Sequence, residues 1–261
     1  FATHSFWFGL GYNLGMEDDY DAGIKWRHEN DTWDMHMAFF HNEEYGDATK
    51  LDRYSVDLVR VEDQQNEEFA QGNLRFAYIF GKDTDNRSEV GISGEYGGID
   101  NLETSKYGYH WQAALHYSGR YGDWNPEFQV ARYEYHPENP EGVDNRLVLM
   151  GNLTSSRLVA ARGILINANL RRFWDVNWGP FKRFNAYYNY STVLKDEKSF
   201  KNSQLHDPGC VLEAGPFWIW IDFLFGKNAW YLNDSPENSG LGPGGTDKWE
   251  YRFNVSFEWY F

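Results

Sequence analysis

Cysteine is nearly missing from the chain: Cys210 is the only one in 261 residues. An internal disulfide framework and any Cys-rich zinc or iron–sulfur site are therefore excluded. Long apolar runs are missing too. No segment reaches the roughly 18 uninterrupted apolar residues that a membrane-spanning helix needs, and the mean hydropathy is −0.70. Basic charge is in deficit, with 24 Lys and Arg against 39 Asp and Glu, a formal net charge of −15, which argues against a nucleic-acid binder. Aromatic residues, by contrast, make up 19% of the sequence. That abundance excludes a disordered chain, and in so polar a sequence it means that apolar side chains are placed singly between polar ones.

The last segment shows the pattern most clearly. From Lys248 to Phe261, the residues Trp249, Tyr251, Phe253, Val255, Phe257, Trp259 and Phe261 alternate with mostly polar ones. Period two puts the two sets on opposite faces of a strand. Soluble half-buried strands usually run about five or six residues, whereas a tilted strand crossing a bilayer takes about 9–11 residues in the hydrocarbon. Similar segments recur from Phe6–Tyr12 through Trp33–Phe39, Tyr54–Leu58, Leu74–Phe80, Val90–Tyr96, Tyr107–Tyr117, Leu147–Leu149 and Phe184–Tyr190 to Phe217–Phe223.

Two kinds of connection separate the segments. Some are tight and carry Gly, Pro or Asn-Asp, as at 29–31, 121–123, 178–180 and 214–216; others are long and acidic or Gly-rich, as at 41–52, 136–145, 195–206 and 226–247. Short turns on one rim and long loops on the other describe a transmembrane barrel. The expectation is a single all-β domain over residues 1–261: an antiparallel transmembrane β-barrel of 14 strands, or 12 if 145–153 belongs to a loop, with short periplasmic turns and long extracellular loops. A soluble sandwich or small barrel would turn the same rings inward, and its interior has too little room for this many.

A final strand of alternating aromatics ending in Phe, Phe253-Asn254-Val255-Ser256-Phe257-Glu258-Trp259-Tyr260-Phe261, resembles the assembly signal of Gram-negative outer-membrane β-barrel proteins. The Ala214-Gly215-Pro216-Phe217 turn, the strand after it and Gly226-Lys227-Asn228 are similar to the C-terminal region of porin-like channel families. The resemblance covers the C-terminal third, and the rest only through its strand pattern. It implies an outer-membrane channel without identifying the substrate; the expectation is passive diffusion of small hydrophilic solutes, filtered by lumen charges and inward-folded loops. The implied partners are membrane lipid, lipopolysaccharide and the barrel assembly machinery, which would read the C-terminal strand. No cofactor is implied, and the oligomeric state is left open.

Extending the alternation assigns candidate pore-lining residues: Arg27, Asp34, Arg53, Asp57, Arg75, Glu95, Arg183, Tyr187, Trp218, Trp220, Asp222, Glu250 and Arg252. Basic and acidic groups of this set are nearly balanced, so they either set a transverse field across a pore or pair and stiffen its wall. Tyr187, Trp218 and Trp220 offer an aromatic surface for a solute, or else a packing surface for a loop or the N-terminal segment inside the barrel. His110 and His116 share a face but lie roughly 20 Å apart along a strand, too far to share a metal. A barrel lipase or protease, or a plugged structural or adhesive barrel, are the alternatives. The only near Ser–His neighbours are His4 with Ser5 and Ser203 with His206, and no G-x-S-x-G motif accompanies them. The expectation is a channel and not an enzyme.

Overall fold

The computed structural model describes residues 3–16, 21–42, 54–61, 63–152, 155–232 and 240–261. Among the described residues almost all regular structure is antiparallel β: fourteen strands and two short 3₁₀ turns. Eleven strands form one sheet in the order β1 (Ala22–Glu29), β2 (Trp33–Asn42), β4 (Asn66–Phe80), β5 (Asn86–Asn101), β6 (Lys106–Tyr121), β7 (Trp124–His136), β10 (Arg162–Trp178), β11 (Phe181–Lys195), β12 (Ser203–Ala214), β13 (Phe217–Lys227) and β14 (Glu250–Trp259). The other three, β3 (Asp57–Leu58), β8 (Leu147–Asn152) and β9 (Ser155–Ala160), form a small second sheet.

Every neighbour in the large sheet is next in sequence, apart from the strands that the long loops set aside. The tight turns at 30–32, 81–85, 122–123, 179–180 and 215–216 therefore fall on one rim, and the long connections at 43–65, 137–161, 196–202 and 228–249, together with the four-residue turn at 102–105, on the other. Gly122, Gly179 and Gly215 each take a positive φ in these turns, a conformation that a side chain opposes. The two segments around Leu58 and Leu149 are strands as expected, but they belong to the small sheet and not to the wall. With 145–160 inside a long connection, the tight turns expected around 29–31, 121–123, 178–180 and 214–216 share one rim.

The two faces of the large sheet differ in chemistry. Leu74, Ile92, Leu115, Phe128, Leu170, Phe223, Phe253 and Phe257 are exposed on one face, while Asp34, His110, His116, Asn167, Asn169, Asn185, Asn189, Asp207 and Asp222 are buried on the other. The contrast is sharp between register partners' neighbours: Phe253 is 66% exposed, and Asp222, opposite Asn254, is 0% exposed.

The segment from Thr3 to Met16 covers the polar face. Expected as an alternating strand over Phe6–Tyr12, it instead runs across the interior and ends in a 3₁₀ turn at Tyr12–Leu14. Leu10, Tyr12, Leu14 and also Asn13 are all buried, so neither alternate set looks outward. His4 donates its backbone N–H to Asn189 Oδ1 at 3.1 Å, the backbone N–H of Leu10 donates to Ser191 Oγ at 3.1 Å, and Tyr135 Oη donates to the carbonyl of Leu14 at 3.0 Å. The Arg252 guanidinium lies 5.3 Å from the ring centre of Trp7, and Gly15 and Met16 line a cavity with Lys25 and His36. A flat eleven-stranded sheet would hold β1 and β14 about 48 Å apart at about 4.8 Å per gap. The nine steps from Trp7 to Met16 reach at most about 32 Å. The sheet is therefore rolled around the segment, with the polar face concave.

The apolar core sits on that concave face near the long-loop rim. Leu10, Leu14, Val56, Leu58, Val148 and Met150 pack against Ile99, Tyr133, Tyr135, Leu165, Val193, Leu205 and Leu224 of the wall, and Ala229 and Leu241 join from the last long loop. Lys195 pins that loop by donating from Nζ to the carbonyls of Lys201 at 2.6 Å, Gly242 at 3.1 Å and Gly240. Fully buried Arg157 lies 4.2 Å from the Trp230 ring centre and donates to Asn152 Oδ1 at 2.8 Å.

Candidate functional site

The strand registers arrange the inward residues in rows. One row runs Lys25, Ala38, Asn73, Glu95, Gln112; the next runs Arg27, His36, Arg75, Ser93, Ala114, Ala131; a third runs Glu29, Asp34, Ala77, Gly91, His116, Gln129. Alternation dictates that these residues look inward; the registers dictate which of them meet.

Between the rows runs a continuous ion network. Asp34 accepts from Arg27 Nε at 3.2 Å and from Arg75 Nη1 at 2.7 Å, and lies 3.0 Å from His36 Nε2. Arg27 Nη2 donates to Glu29 at 2.7 Å, and Arg75 Nη2 donates to Glu89 at 2.6 Å. His116 Nε2 stands 3.4 Å from Glu89. Charge-assisted bonds of this length are the strong ones, and they leave Arg75 with a carboxylate on each terminal nitrogen.

Beside the network lies an open cavity of about 290 Å³. Its polar lining comes from Lys25, His36, Asn73, Arg75, Ser93, Glu95, Gln112 and Gln129, and Gly15 and Met16 of the inner segment close it with Ala114 and Ala131. Among the described residues no carboxylate lies within ion-pairing distance of Lys25. Glu95 accepts from Asn73 Nδ2 at 3.1 Å and lies 3.4 Å from His110 Nδ1.

The expected lining residues fall into groups. Arg27, Asp34, Arg75 and Glu95 come together around the cavity and its ion network. Tyr187, Trp218, Trp220 and Asp222 lie on the concave face nearer the tight-turn rim. There the Tyr187 hydroxyl donates to Asp222, Trp220 Nε1 donates to Glu258 at 2.9 Å, and the Trp218 and Trp220 rings pack 5.7 Å apart beside Val211. Arg252 holds Trp7, and half-buried Glu250 begins the same strand. Arg183 stands at the tight-turn rim, half exposed, 3.9 Å from the Asp175 carboxylate. Asp57 is not on the wall: it sits in β3, buried, where its carboxylate caps the backbone N–H of Leu58 at 2.7 Å. Arg53 lies outside the described residues.

Sequence reasoning missed His36, Asn73, Ser93, Gln112 and Gln129 as lining groups, and it missed the inner segment that faces them. The alternation did carry a signal for His36 and Gln112, which stand opposite Met35, Met37, Trp111 and Ala113. Neither Ser–His neighbour forms a dyad: His4 points its Nε2 to the carbonyl of Asn125 at 3.2 Å, and Ser203 donates to the carbonyl of Gly240 while His206 stacks on Phe225 on the other face.

No family model, curated protein or solved structure matches the chain.

Proposed function

We propose that the chain forms the wall of a β-barrel channel in a Gram-negative outer membrane, for passive diffusion of small hydrophilic solutes. The observation that carries this reading is sidedness: aliphatic and aromatic side chains occupy the convex face, and ionic and amide groups the concave one. A bilayer offers no water to backbone amides, so only closed strand assemblies and helices cross it.

The convex face has the dimensions of such a belt. On β10 the outward residues run from Ile164 to Trp174, apolar except for Arg172, whose guanidinium lies over the Trp124 and Trp174 rings; the run is about 33 Å along the strand and about 25 Å in height at a tilt of about 40°, the usual height of the apolar band. Phe80, Trp124, Trp178 and Trp259 are exposed near the tight-turn rim, Tyr107, Tyr109 and Tyr251 near the other, and Leu74, Ile92 and Leu115 between them. Aromatic girdles flanking an aliphatic band mark the two interfaces. At the long-loop end of β7 the outward residues turn to Arg132, level with Ile164, and then to Glu134 and His136.

Eleven strands leave β1 and β14 running in the same direction, and no ladder joins them among the described residues. A barrel built on this sheet closes through a parallel β1–β14 seam or through an odd number of further strands. The inner segment and the long loops then narrow the lumen to the cavity beside Arg75, where the ion network sets a transverse field.

The packed core at the long-loop rim favours a second reading, a plugged barrel with a structural or adhesive role. Conductance in planar bilayers separates the two. Discrete current steps, with a reversal potential that moves under a salt gradient, support the channel; a silent bilayer from folded protein supports the plug. Turnover of lipid or peptide by the same preparation would revive an enzyme.

A further inference from the structure

The cavity beside Arg75 contains two charges of opposite sign that the ion network leaves available. Arg75 is matched by Asp34 and Glu89, and Arg27 by Asp34 and Glu29. Lys25 is not matched by any carboxylate among the described residues. Glu95 faces no Lys or Arg at ion-pairing distance among them; its carboxylate has an amide N–H from Asn73 and an imidazole nitrogen 3.4 Å away.

Both groups belong to one inward row and line one cavity. Three inter-strand gaps of about 4.8 Å put their Cα atoms about 14 Å apart along the wall. Two long side chains shorten that gap from either end. An extended solute of two residues is about 7 Å long, and the cavity of about 290 Å³ falls just below the range for drug-sized small-molecule sites, about 300–1,000 Å³, as suits a solute of that size. Asn73 and Gln112 stand in the same row, and Ser93 in the next; amide and hydroxyl groups there can meet the polar middle of such a solute.

We propose that Lys25 and Glu95 form a binding site for a small zwitterion of dipeptide size, carboxylate on Lys25 and ammonium on Glu95. A solute bearing one charge leaves the opposite lumen charge unpaired, and specificity comes as much from that mismatch as from attraction. The inference deepens the channel reading and rests on it for transport, but binding itself is read separately.

The test is calorimetry on the folded protein in detergent micelles with three probes: glycylglycine, glycylglycinamide, which lacks the carboxylate, and N-acetylglycylglycine, which lacks the ammonium. Glycylglycine is expected to bind at least about tenfold tighter than either analogue, a margin of about 1.4 kcal/mol. Lys25→Gln should erase the margin over the amide alone, and Glu95→Gln the margin over the acetylated probe alone. Lys25→Arg and Glu95→Asp keep both margins, and they provide the comparison if a glutamine variant fails to fold. Equal affinity of the three probes for folded protein, or margins untouched by both glutamine variants, would overturn the site. A silent bilayer with the margins intact would overturn the channel and leave the site standing.

Discussion

The imidazole of His110 lies across the bare Cα of Gly97, its register partner on β5, and a methyl group at position 97 would collide with the ring. The other side of the imidazole is covered by Tyr135, its partner on β7, with centroids 5.5 Å apart and planes 4° from parallel. Three other inward rings lie over a glycine of the neighbouring strand in the same way: His116 over Gly91, Tyr133 over Gly163 and Tyr187 over Gly209.

Gly97→Ala should therefore cost about 1–3 kcal/mol, the range for an overpacked site. The cost should largely vanish when His110 is also alanine, giving a coupling energy beyond simple additivity. Urea titration of the refolded protein, followed by tryptophan fluorescence, measures both. An unchanged penalty in the His110→Ala background would mean that strand propensity, and not the ring, demands the glycine.

Trp7 and Arg252 tie the inner segment to the last strand. Both groups are partly buried, so the contact is worth about 1 kcal/mol, and it anchors the stretch before Leu10, where the segment enters the buried core. Arg252→Gln is expected to raise single-channel conductance and its open-channel noise, because the segment then samples positions away from the wall. Conductance indistinguishable from the parent would mean that the segment does not border the conducting path.

Two carboxylates on the long-loop rim are held below their ordinary range. Arg132 does so for Asp196 through a fork of bonds at 2.6 and 2.5 Å, and Arg146 for Asp144. A carboxylate with a depressed folded-state pKa contributes stability above its unfolded value, about 4, and loses it as pH falls through the folded value. Both groups are partly exposed, so each pair contributes at most about 1 kcal/mol. Loop amides in 196–202 should exchange faster, after correction for intrinsic rates, as pH falls from about 5 to about 3, the window that opens below the ordinary carboxylate pKa. Arg132→Gln should remove that dependence near Asp196, whereas an unchanged profile in the variant would remove Arg132 from the explanation.

Sidedness was legible in the sequence because side chains of an unbulged strand alternate: Trp111, Ala113 and Leu115 do look away from His110, Gln112 and His116. The inner segment was not. Phe6–Tyr12 alternates with small residues, as a wall strand facing a crowded interior would, and one-dimensional periodicity cannot tell a strand from an extended segment that packs across the inner face. Asp57 failed for a related reason, since a two-residue strand packed on both faces has no outward side. The meeting of Lys25 with Glu95, three strands apart, depends on registers that turn lengths and the bulge at 69–72 fix jointly. Fourteen strands are described, but only eleven stand in the large sheet, and three expected in the wall form a separate small sheet.

Spin labels on single cysteines in a Cys210→Ser background, reconstituted in liposomes, test the account most directly. Positions 74, 92 and 255 are expected to show relaxation dominated by lipid-soluble oxygen, and positions 73 and 93 relaxation dominated by a water-soluble nickel chelate. Nickel dominance at 74, 92 and 255, with oxygen dominance at 73 and 93, would contradict it.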